Sequence, residues 1–476
     1  MAYRPTIGLE VHAELATRTK MFCDSANDPD ETRPNANVCP VCMAHPGTLP
    51  VINRQAVEHV LRIGAAIGGT IADYSEFDRK SYFYPDIPKG YQISQYEHPL
   101  IRGGELAGVA ITRVHLEEDT ARSTHENGKS LVDFNRAGVP LMELVTEPVI
   151  HDAETAGRFA RELQLLLRTL GAGEANLEKG EMRIEANISV AKEGSTGSHP
   201  VLGTKVEVKN LNSFRAVERA IAFETKRQEK LIESGGKVVQ ETRGWNEDTQ
   251  ETFSQRLKEG SADYRYFPEP DLPKLILSEI PEFSADALRA SLPELPWQRR
   301  ARYAEAFGLK APDAAYLSGT LERSAFFDAV ATALKEDPKL VALAANYILS
   351  DLAGIFAKGE GERFESIDAA AFAKLIRLIE NGKLSSRGAK ETLAILATLG
   401  GDPEEIAASR GFMQIHDEGV LAAAAEAVIS AEEKAVAEYR AGKEAALQYL
   451  VGKAMKESKG AGNPGKLRDI LVDKLK

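Results

Sequence analysis

Two hydrophobic periods divide this chain. Up to about residue 290, short runs at 7–11, 109–116, 182–190 and 204–208 alternate apolar and polar residues. Period two sends successive side chains to opposite faces, which predicts half-buried strands. Between them, residues 153–171 and 214–235 carry apolar positions at helical spacing. The second of these opens on Asn212-Ser213 and closes on Gly235-Gly236, residues that suit the two ends of a helix. Strands and helices mix without regular β-α-β alternation, so the pattern predicts an α+β fold with a largely antiparallel sheet.

Beyond the proline-punctuated stretch from Pro281 to Pro296 the sequence becomes rich in Ala, Leu, Glu and Lys and takes on the helical period. Breaks fall at Gly308, Gly319, Pro338 and Gly382, and a stronger one at Gly400-Gly401-Asp402-Pro403. The expected organisation is a sheet-based domain over residues 1–292, an all-helical domain over 293–405 and a small helical tail over 406–476.

A length of 476 residues exceeds what one core usually holds. No run approaches the roughly 18 apolar residues of a membrane span, and the first residues have no signal or transit character. The expectation is a cytoplasmic protein. A net charge of −12 argues against broad nucleic-acid affinity, although the stretch from Ala431 onward is mildly basic and leaves room for a local contact.

Candidate chemistry sits in a few places. Cys39-Pro40-Val41-Cys42 is a Cys-x-x-Cys knuckle with Cys23 upstream. Three thiols leave a zinc site one ligand short, with His45, Asp24 or solvent as candidates for the fourth. Glu10 and His12 share one face of a predicted strand, while Leu9 and Val11 take the other. His115-Leu116-Glu117-Glu118-Asp119 adds three consecutive acids, donors that suit a hard cation such as Mg²⁺. Arg183, Glu185, Asn187 and Ser189 form one polar strand face, and Lys205, Glu207 and Lys209 another. The loop from Arg79 to Gln92 interleaves aromatics, prolines and cations, as does the stretch from Asp263 to Asp271. Such a mixture can clamp a nucleotide or a tRNA end. No phosphate loop exists: Gly460 to Lys466 has the glycine–lysine spacing, but Leu467 stands where a hydroxyl is needed.

These segments together resemble the GatB family, the B-subunit of bacterial aspartyl/glutamyl-tRNA amidotransferase. The resemblance rests on Ile7-Gly8-Leu9-Glu10-Val11-His12, Asn37 to Cys42, Tyr82 to Gln95, His115 to Asp119, Leu131 to Pro140, Lys209 to Arg215, Asp263 to Pro273, and Tyr449-Leu450-Val451-Gly452-Lys453 through Asn463-Pro464. It implies a cradle-like catalytic domain, a helical domain and a tail that grips tRNA, with Lys453, Lys456, Lys459 and Asn463 as the tRNA-binding candidates. The implied reaction uses ATP to phosphorylate the side-chain carboxylate of Glu-tRNA(Gln) or Asp-tRNA(Asn). Ammonia channelled from the amidase partner GatA, a glutaminase, then displaces the phosphate. The small partner GatC completes the implied GatCAB heterotrimer. Glu10, His12, Glu117, Glu118 and Glu185 are the catalytic candidates, and Glu10, His12, Glu117 and Glu118 the Mg²⁺ ligands. Lys80, Lys89 and Lys205 are candidates for the ammonia path or phosphate contact, with Cys23, Cys39 and Cys42 for zinc. Ser25 stands where zinc-binding members carry a further cysteine, and Glu185 where the family usually has aspartate. The alternative is a non-catalytic tRNA-binding scaffold that tethers the amidase.

Overall fold

A computed structural model of the chain describes residues 3–192, 202–257, 264–359, 363–414, 417–458 and 462–476. It forms two compact units, Met1–Pro296 and Trp297–Lys476.

A ten-stranded sheet organises the first unit. Its order runs Glu251–Leu257, Glu241–Asn246, Val206–Leu211, Met182–Lys192, Tyr3–Glu14, Pro140–Thr146, Val109–Glu118, Ile101–Arg102 and Thr70–Ile71, with Glu105–Leu106 beside Val109–Glu118. Val206–Leu211 and Glu241–Asn246 pair in parallel. The other neighbours pair antiparallel, as the alternating pattern predicts. Tyr3–Glu14 lies in the interior of the sheet, flanked on both sides. Its Ile7, Leu9, Val11 and Ala13 are completely buried, which leaves Glu10, His12 and Glu14 to the opposite face.

Helices Ala153–Thr169 and Phe214–Glu233 pack on each other, and the second also packs on Met182–Lys192. Asp152 caps the first by accepting from the Thr155 N–H at 2.7 Å, and Ser213 caps the second by accepting from Ala216 N–H at 3.0 Å. Each side chain satisfies an amide that the first helical turn leaves without a partner. The strand expected at 204–208 instead spans Val206–Leu211, so Thr204 and Lys205 precede it. A separate three-stranded sheet, Phe267–Pro268 with Asp78–Ser81 and Tyr91–Ser94, joins the two aromatic loops.

The second unit is helical throughout its described elements. One core gathers Tyr303, Phe327, Phe372, Ile376 and Leu393 and still receives Ala407, Phe412 and Met413. A second core, centred on Leu450, Leu467 and Leu471, begins at Leu421. Proline and glycine set the helix limits where the sequence places them: Pro338 opens Pro338–Tyr347, and Gly308 and Gly382 take positive φ just past helix ends. Against the expectation of no span-like run, Pro338–Phe356 has the length and hydropathy of a membrane-crossing helix. Its Val341, Ala344, Ile348 and Leu352 belong to the first helical core, which accounts for that apolar character.

Candidate active site

Antiparallel pairing sets the site. His12 stands in register with Glu143 on one neighbouring strand and Arg183 on the other. Glu10 is opposite Glu185, Asn187 opposite Glu207, and Glu143 opposite His115. Because side chains alternate, this register brings one polar row from each strand to a single sheet face. That face floors a cleft of about 550 Å³.

Two groups of acids occupy it. In the first, His12 Nε2 lies 3.5 Å from both Glu117 Oε1 and Glu143 Oε2. His115 Nε2 approaches Glu143 Oε2 at 3.2 Å, and the Ser94 hydroxyl donates to Glu117 at 3.1 Å. The ligand atoms of His12, Glu117 and Glu143 all fall within 4.8 Å of one another. Burial opposes the charge on Glu143, but His115 and His12 more than offset it and hold this carboxyl well below the usual carboxylate range. Burial likewise opposes an imidazolium at His12, yet Glu143 and Glu117 push it up to about 9. In the second group, oxygens of Glu10, Glu185 and Glu207 meet within the same distance. Asn187 donates to Glu10 at 2.8 Å, Lys209 to Glu185 at 2.9 Å and Thr242 to Glu207 at 2.7 Å.

Cations balance the acids. Lys80, Arg113, Arg183 and Lys209 all line the cleft. Burial disfavours the Lys80 ammonium, but Glu117, Tyr266, Tyr82 and Glu143 together outweigh it and raise the pKa above the ordinary lysine value. Arg183 donates to Asp119 at 2.9 Å, and Arg136 flanks the same carboxylate at 3.7 Å.

The Mg²⁺ set expected from sequence is therefore divided. Glu117 joins His12, while Glu10 belongs to the other acid group. Glu118 points away from the cleft: it accepts from the Ile93 N–H at 3.0 Å and pairs with Lys89. Adjacent residues on a strand take opposite faces, so Glu117 and Glu118 could not both have faced the cleft. Lys89 follows Glu118 into a small adjoining pocket with Cys42 and Gly138. Lys205 is exposed just before the strand and does not line the cleft. Glu143 stands in the group with His12 and Glu117 instead. Its one signal in the sequence is a lone charge within the apolar run Pro140-Leu141-Met142-Glu143-Leu144-Val145, where a buried carboxylate needs a partner.

Cys23, Cys39 and Cys42 bring their sulfurs within 4.8 Å of one another, as a zinc knuckle requires. A hydrogen bond from Cys23 draws the Cys42 thiol down to about 4 despite burial, helped by the Cys39 amide and the Lys20 charge. The Lys20 ammonium lies 3.7 Å from this sulfur, and the Ser25 hydroxyl 3.8 Å. This donor set fits a soft metal, with three thiols and one neighbouring hydroxyl oxygen.

In the tail, Lys453 pairs with Glu432 at 2.6 Å and Lys456 is exposed. Asn463 accepts from the Lys466 N–H at 3.0 Å and so caps Pro464–Leu475. Lys459 and Asp263 lie outside the described residues.

Comparison with known proteins assigns this architecture. Residues 5–281, which hold every cleft residue above, match the GatB/GatE catalytic domain. Residues 325–475 match the GatB domain. The chain belongs to the GatB family. It is similar over its whole length to the aspartyl/glutamyl-tRNA(Asn/Gln) amidotransferase B-subunit of Thermomicrobium roseum, with 45% identity over 100% of this chain and 99% of that protein. The protein of the same name from Thermus thermophilus is 44% identical, covering 99% of each chain. That from Crocosphaera subtropica is 42% identical over 99% of this chain and 97% of its own. Within this GatB chain the cleft and its acid groups thus fall in the catalytic region, and the knuckle lies in the same stretch.

Proposed function

We propose that this chain is the activating component of a tRNA-dependent amidotransferase. In this reading it phosphorylates the side-chain carboxylate of Glu-tRNA(Gln) or Asp-tRNA(Asn) with ATP, and then directs ammonia onto the acyl phosphate. The observation that carries it is the convergence of His12, Glu117 and Glu143 in one cleft with Lys80 and Arg113, inside the region that matches the family's catalytic domain.

A free carboxylate has no leaving group that ammonia can displace, and phosphorylation supplies one. Phosphoryl transfer depends mostly on positioning and on neutralising charge. Two carboxylates, with the His12 imidazole once it has released its proton, suit a divalent cation, and a Mg²⁺ held there would neutralise charge on the phosphate oxygens. The chain's own residues do the rest. The Glu143 carboxylate, held ionised by two histidines, fixes the His12 ring. Lys80 and Arg113 attract the phosphates and oppose the repulsion between two anionic reactants. Glu10, Glu185 and Glu207 present oxygens that accept hydrogen bonds from an arriving ammonia or ammonium, while the Lys209 contact fixes Glu185. Ammonia would be delivered by the glutaminase partner GatA, with the small partner GatC completing the assembly. The helical tail, through Lys453, Lys456 and Lys459, would hold the tRNA. The knuckle would carry zinc on Cys23, Cys39 and Cys42 as a structural clamp. The work takes place in the cytoplasm, where charged tRNA is available.

The test is conversion of Glu-tRNA(Gln) to Gln-tRNA(Gln) by the chain with its partners, ATP, Mg²⁺ and either glutamine or ammonium. Product from the native protein, lost with both nitrogen donors in Glu10→Ala or Glu117→Gln, is the expected result. Full activity in both variants would leave the chain a tethering scaffold.

A further inference from the structure

The cleft is walled by more aromatic surface than its chemistry with acids and phosphates calls for. Tyr96 and Tyr266 stack with ring centroids 4.4 Å apart and planes 12° from parallel. Tyr264 meets Tyr266 edge-on at 6.0 Å and Tyr82 at 5.8 Å. The Lys80 ammonium lies 5.1 Å from the centre of the Tyr264 ring. All four tyrosines line the cleft. Glu117 and Glu143 are close enough to act electrostatically on both Lys80 and Tyr266, so this wall adjoins the first acid group. Tyr96, the outer ring of the stack, is 43% exposed.

An exposed ring backed by a parallel one, with a cation nearby, offers a flat π face. It has little to offer a phosphate and much to offer a base, since every base has a face that stacks. Resting on the proposed function, we infer that Tyr96, supported by Tyr266, is the stacking platform for the 3′-terminal adenine of the substrate tRNA. The carboxylate to be activated is joined to that terminal ribose through a single aminoacyl unit. When the carboxylate sits at the acid group, the terminal base is within reach of the adjoining wall. ATP carries the same base at a comparable number of bonds from its γ-phosphorus, so the test has to tell the two adenines apart.

The two sources of adenine are separable. The full chain, assembled with its partner proteins, is mixed with tRNA(Gln) whose terminal adenine is replaced by fluorescent 2-aminopurine. Emission is expected to fall on binding to the native complex and to Tyr96→Phe, which keeps the ring, and to stay unchanged with Tyr96→Ala. The KM for Glu-tRNA(Gln) should rise about tenfold in Tyr96→Ala, the loss of one base–aromatic stack, while the KM for ATP stays constant. Tyr96 anchors its loop through its main chain, whose N–H donates to Asp78 at 2.8 Å. The alanine variant keeps that bond. An unaltered fluorescence change in Tyr96→Ala overturns the inference, as does a rise in the KM for ATP alone. The fluorescence reading requires no turnover, so it reports on the platform even if the proposed reaction fails its own test.

Discussion

His12 and Glu143 face each other as register partners on adjacent antiparallel strands, Nε2 to Oε2 at 3.5 Å. Glu143 has His115 on its other side at 3.2 Å. One carboxylate thus ties together three strands and sits at the centre of the group that also holds Glu117.

That position makes Glu143 a candidate functional residue. Glu143→Gln removes a negative charge but keeps the side-chain volume and its hydrogen-bonding capacity. Amidation per folded molecule is expected to fall on the order of 100-fold or more, the scale seen when one preorganised charge contact is lost. Wild-type turnover in this variant would remove Glu143 from the site.

Neighbouring Glu118 should behave in the opposite way. Glu118→Ala leaves the buried Ile93 N–H without its acceptor and Lys89 without its partner. A cost of about 3 kcal/mol is expected in chemical denaturation, with activity per folded molecule retained. Loss of activity at unchanged stability would return Glu118 to the cleft.

Glu14 shares a hydrogen bond with Asp119, and its carboxyl is pushed up to about 8. Burial is the main cause and the Asp119 charge adds to it, against Arg183 and Arg136. A carboxyl raised on folding contributes stability below its ordinary value and loses that contribution as pH climbs through the folded value. Wild-type stability should therefore decline between about pH 4.5 and 8 from this group. Glu14→Gln mimics the neutral acid and should flatten that part of the profile. Denaturation midpoints of both proteins across this range decide it; parallel curves would show that Glu14 ionises normally.

Ser25 limits the knuckle. With three thiols and a hydroxyl, zinc should be removable by a moderate chelator, whereas Ser25→Cys should retain one metal ion under the same dialysis. Cobalt substitution gives the second reading, since a fourth thiolate shifts and strengthens the visible bands. Equal retention by both proteins would mean that Ser25 does not stand at the open corner.

The sequence by itself determined the α+β class, the strand faces carrying Glu10 and His12, the Ser213 cap and the ends of many helices. These follow from local rules: side chains alternate along a strand, caps satisfy free amides, and glycine and proline end helices. The family resemblance came from contiguous motifs, which need no tertiary information. Tertiary pairing alone decided which polar rows share a floor. Glu143 enters the site because its strand registers with both Tyr3–Glu14 and Val109–Glu118. Glu118 leaves it because it is adjacent to Glu117 on a strand whose two sides meet different neighbours. Lys89 follows Glu118 through their ion pair, and Tyr96 meets Tyr266 only through the small sheet that joins two distant loops. Spacing fixes the side of a strand on which a residue lies, whereas register between strands far apart in the chain fixes what that residue faces.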